Sequence, residues 1–139
     1  MAITQTMTDK CKEDLLKGDV HFDTDTFKIA LFTSDATLDA STTAYADSNQ
    51  VSSTNYTAGG VALTGATVSV SDNIAFVDFA DATWSNVTFT ARGALIYNTS
   101  NSNASIAVLD FGSDKTVTNG TFTVTFPAAS ATTALIRIE

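Results

Sequence analysis

Apolar positions follow two different rhythms along this chain. Near its start, Met7, Cys11 and Leu15 recur at four-residue spacing with Leu16 beside them, while Lys10, Lys12 and Lys17 sit mostly off that stripe. That period draws one apolar face along a helix. It predicts a short amphipathic helix over 6–17, with Thr6 or Thr8 as N-cap, Asp9 in the first turn and Gly18 as the left-handed residue that closes it. About three turns are marginal alone in water, so this helix must dock on something.

From Phe27 the rhythm shortens to two. In Phe27-Lys28-Ile29-Ala30-Leu31-Phe32 the residues Phe27, Ile29 and Leu31 share one face of a strand. A long polar excursion follows over 34–60, with Tyr45, Val51 and Tyr56 as isolated apolar anchors and no run of charge. Those anchors point to a structured excursion, not a linker, and a connection of this length is a place for function. Thr67 to Val70 and Ile74 to Phe79 read as a hairpin around Ser71-Asp72-Asn73. Further strands are expected at Trp84 to Thr90, Gly93 to Tyr97, Ser105 to Phe111, Thr121 to Phe126 and Ala134 to Ile138, the last tied into a sheet. Ile106-Ala107-Val108-Leu109 is apolar on both faces, which suits a central strand. Asn98 to Asn103 reads as a polar tip, Gly112 to Gly120 as a turn region, and Pro127 as a strand end. Strands at this spacing, without an internal repeat, predict an all-β fold: one domain over 1–139, a β-sandwich or a jelly-roll-like barrel with a short N-terminal helix.

Composition sharpens this picture. The chain has 139 residues, enough to bury a core without staples, and only 16% are charged. Ser and Thr make up roughly a quarter of it, and branched Thr suits a pleated surface. A net charge of −8 opposes contact with phosphate backbones and anionic bilayers, so neither nucleic acid nor membrane is an expected partner. The single cysteine, Cys11, allows no intrachain disulfide. No secretion signal and no apolar run of bilayer length is visible, so synthesis and folding in a cytoplasm are expected. On that reading the Asn-x-Ser/Thr sequons at Asn55, Asn86, Asn98, Asn103 and Asn119 are chance products of a Thr-rich chain.

Candidate chemistry is sparse. If extended, Asp19, His21, Asp23 and Asp25 would face one way and could hold a hard cation, but the stretch lacks the turn glycine and distal glutamate of a calcium loop. The plainer reading is a polar connector with its acids in water, and no metal is assigned. His21, the only histidine, has no nucleophile motif to serve. Cys11 on the apolar stripe reads as an inert core thiol. Asp78, Asp81 and Asp110 are the carboxylates that could face each other across a cleft, as glycoside hydrolysis requires; bonding loop amides at strand ends is the structural alternative. Glutamate occurs only at Glu13 and Glu139, which thins the supply of general acids. Trp84, Tyr97 and Tyr56 could stack on sugars if exposed, or fill the core with their polar ends on a partner or water. Arg92 could pair with Asp78, Asp81 or Asp110, or reach a neighbouring subunit. No catalytic residue and no cofactor is expected, and the chain reads as a non-enzyme.

Several segments together resemble a family of small virion structural proteins of tailed bacteriophages. They are Phe27 to Ser34, Tyr56-Thr57-Ala58-Gly59-Gly60, Ala91 to Asn98, Ala107 to Gly112, and the stretch from Phe122 to Ile138. The resemblance spans nearly the whole chain but rests on structural segments, so it carries over no catalytic residue. It implies a capsid decoration, or cement, protein on the virion surface, made in a bacterial host. Its partners would be the major capsid protein and sister copies in a homo-oligomer, with a trimer at quasi-threefold sites among the forms allowed. The 34–60 excursion and the N-terminal helix are the parts expected to touch the shell or sister copies. The runner-up is a tail or tail-fibre component, an adhesin binding carbohydrate.

Overall fold

A computed structural model describes residues 2–127, 130 and 134–138. Over these residues the chain is mostly β, with two antiparallel sheets and one short helix near its start, a sandwich-like arrangement. In chain order the elements are β1 (Thr6–Met7), α1 (Asp9–Lys17), β2 (Phe27–Phe32), β3 (Val61–Ala62), β4 (Thr67–Ser71), β5 (Ile74–Asp78), β6 (Ala82–Asn98), a 3-10 turn (Thr99–Asn101), β7 (Ala104–Val124) and β8 (Ile136–Ile138). The larger sheet runs β1-β7-β6-β2-β3 and the smaller β4-β5-β8.

The helix is shorter than its apolar stripe suggests. Thr8 is the N-cap in an extended conformation, and its hydroxyl accepts from the Cys11 N–H at 3.2 Å. Met7 therefore belongs to β1, where it pairs with Ala107. The Thr8 hydroxyl also donates toward the Ser105 and Ile106 carbonyls, and the buried Ser105 hydroxyl donates to it at 2.9 Å. This knot pins the helix start to β7 and begins the helix two residues later than a Thr6 cap would. At the other end Gly18 takes φ 77° and its N–H closes on Asp14 and Leu15 carbonyls. Asp14 is buried, held by Lys10 Nζ at 2.8 Å and by Asn101 Nδ2 at 3.2 Å, so the helix docks through a paired carboxylate as well as through Cys11.

The two strands expected at Trp84–Thr90 and Gly93–Tyr97 are one strand, β6. The turn region expected over Gly112–Gly120 is likewise absent: β7 continues through it, pairing Ala91 with Lys115, Thr90 with Thr116 and Val87 with Gly120. Register shifts between Ala91 and Gly93 and between Val87 and Phe89 take up the extra residues. Gly112 at φ 82° and Asn119 at φ 46° sit in these irregularities. Residues that favour left-handed backbone here bend a strand instead of ending it.

Where β2 pairs with residues 93–98 of β6, and β6 in turn with residues 104–108 of β7, the larger sheet is buried on both faces; the rest of β6 alternates buried and exposed positions. Phe27, Ile29 and Leu31 with Ala94, Ile96 and Ile106 enter the main core. Their alternating neighbours Ala30, Phe32, Leu95, Tyr97 and Val108 enter a second cluster with Ile3, Ala36 and Leu38, and Tyr45 packs against it. The second cluster is closed by the 34–60 excursion. Its backbone is tied on every side: Leu38 to Ala2 and Thr4, Tyr45 to Asn103, Thr43 to Ser105, Asn49 to Thr33, and Val51 to Leu31. Double coverage explains why Ile106 to Leu109 is apolar on both faces.

At Gly60 the excursion rejoins β3. Its φ is 82°, and a Cβ built there would lie 1.7 Å from the Ile29 carbonyl oxygen. Gly18 has a similar φ with open space around it. Gly18→Ala should therefore cost about 1–2 kcal/mol from backbone strain alone, while Gly60→Ala should cost more than about 3 kcal/mol because backbone must move as well. Urea unfolding of the two variants beside the parent chain checks this ordering.

Candidate interaction surface

The sequence-predicted chemical residues are dispersed by the fold and mostly consumed by its own bonds. Residues 21–25 form a turn, with Thr24 and Asp25 N–H groups donating to the His21 carbonyl. The one-sided array imagined for Asp19, His21, Asp23 and Asp25 needs an extended chain and does not form. Phe22 turns inward to stack on Phe27 at 5.3 Å. Asp25 accepts from the His21 N–H and from Asn98 Nδ2, each at 2.8 Å. Among the described residues no group of three or more His, Cys, Asp or Glu is placed to hold a metal ion. Cys11 is fully buried, and burial pushes its thiol up to about 12, so thiolate chemistry is suppressed at neutral pH.

The three carboxylates do not converge. A groove of about 330 Å3 runs beside β1, β7 and Phe126, and Asp110 is the one ionisable residue among those lining it. The Gly112 N–H at 2.9 Å, opposed by burial and helped by Arg92 Nε at 3.3 Å, holds the Asp110 carboxyl below its usual range. It remains an anion, while a general acid needs its proton. Asp81 accepts from the Phe126 N–H at 3.0 Å, and Asp78 lies in β5 opposite Thr67. Asp81 thus bonds an amide just past the end of β7, and Asp110 one at the irregularity within it. Arg92 meets Asp110 and neither of the other two acids. Glu139 lies outside the described residues.

The aromatic candidates face inward. Trp84 is buried between Tyr56 and Phe122, at ring distances of 6.2 Å to each. Its Nε1 reaches no hydrogen-bond partner among the described residues. Tyr97 is buried under Tyr45, with stacked rings 4.6 Å apart. Neither ring is available to stack on a sugar.

These tyrosines instead build the clamp that holds the excursion. Tyr97 donates to the Gly59 carbonyl at 2.6 Å. The Tyr56 hydroxyl accepts from the Leu31 N–H at 2.9 Å and donates to Gln50 Oε1 at 3.2 Å. Tyr45 donates to the same oxygen at 3.2 Å, and the Gly59 N–H does so at 2.7 Å. Burial pushes the Tyr97 phenol up to about 12 and raises Tyr56 as well, so both remain donors across the physiological range. Gln50 was not singled out by sequence reasoning. It carries no periodic signal, and only its place between two anchoring tyrosines could have marked it.

Two outer surfaces among the described residues are free of charged side chains. One is an open groove lined by Ser53, Thr54, Asn55, Asn86, Thr88 and Asn119, neutral amides and hydroxyls. The other is β4, whose five residues are all exposed. No helix among the described residues is long and apolar enough to cross a membrane. No protein-family model matches the chain, and no curated protein and no solved structure matches it.

Gln50→Leu keeps the side chain's bulk but leaves the Gly59 N–H and two phenols without their acceptor. It should cost about 1–3 kcal/mol, whereas Tyr97→Phe, which removes one donor, should cost about 1 kcal/mol. Chemical denaturation midpoints at constant slope measure both.

Proposed function

We propose that the chain is a virion structural protein, a capsid decoration or cement protein that stabilises a tailed-phage head by fitting against the major capsid protein and sister copies. One observation carries the reading: the 34–60 excursion is a folded outer layer, tied by backbone bonds to three separate parts of the chain and by the Gln50 clamp. A layer fixed in this way offers a preformed surface, which binds without paying again for loop ordering. The segments that resemble phage virion proteins include Tyr56, Gly59 and Tyr97 of the clamp, though not Tyr45 or Gln50. The candidate reactive groups are buried, ionised or spent on structural bonds, which suits a protein that acts through shape. On this reading the protein needs no cofactor and works on the particle surface.

A second reading is a tail or tail-fibre component that binds carbohydrate. The groove of Asn55, Asn86, Thr88 and Asn119 favours it, because neutral amides and hydroxyls match sugar hydroxyls. Buried Trp84 and Tyr97 give it no stacking platform.

Purified particles separate the two. The decoration reading expects copy numbers comparable to the major capsid protein, with density on the shell in a particle reconstruction. A few copies per particle, located on the tail and accompanied by glycan binding that Asn55→Ala abolishes, would replace it with the second. Absence from particles would overturn both.

A further inference from the structure

The smaller sheet ends in an edge that is unlike a protected one. Among the described residues β4 pairs with β5 and with no other strand. Edge strands are ordinarily guarded by lysine, proline or inward charge. Thr67-Val68-Ser69-Val70-Ser71 has none of these, and all five residues are exposed. No charged residue occurs from Ser48 to Ser71.

The edge continues an apolar face. Residues opposed across antiparallel strands share a face. The register therefore puts Val68 beside Val77 and Ile136, and Val70 beside Ala75 and Ile138. Val77 and Ile136 are buried in the main core. The outer row is not: Val70 is 73% exposed, Val68 52% and Ile138 49%.

We propose that β4 is a self-association edge, pairing antiparallel with β4 of a second copy about a two-fold axis at Ser69. Three features select a second copy. First, the strand is self-complementary: centred on Ser69, the alignment sets Val68 against Val70 of the other copy, Val70 against its Val68, and Thr67 against its Ser71. The four valines then lie side by side on one face, where cross-strand branched pairs stabilise a sheet. Second, charge selects the place. Copies with a net charge of −8 repel one another, and only an uncharged surface lets them approach. Third, charge permits the register. Asp72 follows β4 and Asp78 lies one strand inward, opposite Thr67, so in this alignment Asp72 faces Ala66 of the second copy and no acid faces another. The product is a continuous six-stranded sheet in the order β8-β5-β4-β4-β5-β8, with the unpaired edge groups of both copies satisfied. The interface is isologous, as two-fold symmetry requires.

The biological use of this pairing rests on the contact-scaffold reading, but the pairing is a property of the chain alone, so its test needs no virus particle. Sedimentation velocity on the purified chain should give a dimer at micromolar concentration. Val70→Lys, at an exposed position, should leave the circular dichroism unchanged and raise the dissociation constant at least about tenfold, because an ammonium group then replaces one branched partner of each Val68–Val70 pair across the seam. Ser69→Cys should form a disulfide-linked dimer on mild oxidation, since opposed residues of paired strands lie about 4.5–5.5 Å apart at Cα, within disulfide reach. The parent chain should not, because Cys11 is fully buried. A parent chain that stays monomeric to high concentration overturns the proposal. So does a trimer, a dimer indifferent to Val70→Lys, or a Ser69→Cys chain that does not cross-link. Failure on particles with dimerisation intact would remove the virion reading and leave this one standing.

Discussion

The centre of the larger sheet, where β2 meets residues 93–98 of β6 and 104–108 of β7, is apolar on both faces, so both faces need a cover there. The smaller sheet and α1 supply one. The other is supplied by 34–60, a stretch too polar to hold itself in place by hydrophobic burial. Its anchors Tyr45, Leu38 and Ala36 close over Phe32, Leu95 and Tyr97. Its peptide groups are paired with the first residues of the chain, with β2 and with the turn before β7. A buried amide or phenol left unpaired costs about 1–3 kcal/mol, so the Gln50 clamp is what makes a polar cover compatible with an apolar sheet.

That arrangement ties the rest together. The Thr8–Ser105 knot fixes the helix, the start of β7 and the Thr42 carbonyl at once, because the Ser105 hydroxyl donates to both Thr8 and Thr42. Gly60 lets the excursion return against the Ile29 carbonyl, where any side chain would collide. The tyrosines that could have served as a sugar platform are drawn inward by this work, and of the carboxylates that could have served as acids Asp81 and Asp110 bond backbone amides at the end of β7 and at its irregularity. What the fold leaves outward is shape: a fixed layer over one face and an unguarded strand at the far edge. Both suit recognition of protein surfaces through preformed geometry and backbone edges.

Much of this was legible in the chain. Period-two alternation located β2 and the β4–β5 hairpin, and the two-sided apolar run at Ile106 marked a strand covered on both faces. The isolated anchors Tyr45, Val51 and Tyr56 correctly marked the excursion as folded. What stayed hidden was long-range. Gly112 and Asn119 read as turn residues because left-handed backbone is commonest in turns; only the opposing register of β6 shows that they serve as bulges in a continuous strand. Met7 matched the helical stripe, but a buried Thr8 hydroxyl took the cap position after it. Asp19 to Asp25 alternated like a strand and turned instead, with Asp25 closing on the His21 amide. The acceptor role of Gln50 is set by three donors from elsewhere in the fold and leaves no local trace in the sequence.

The central claim is that the excursion is part of the folded sheet and opens only with it. Residue-resolved amide hydrogen exchange of the native chain measures this directly, because each amide reports the free energy of the opening that exposes it. The account predicts that the Tyr45, Val51 and Gly59 amides, bonded to Asn103, Leu31 and Gln50, exchange with the same opening free energy as β2 and β6. Fast exchange over 34–60 beside a protected sheet would contradict it.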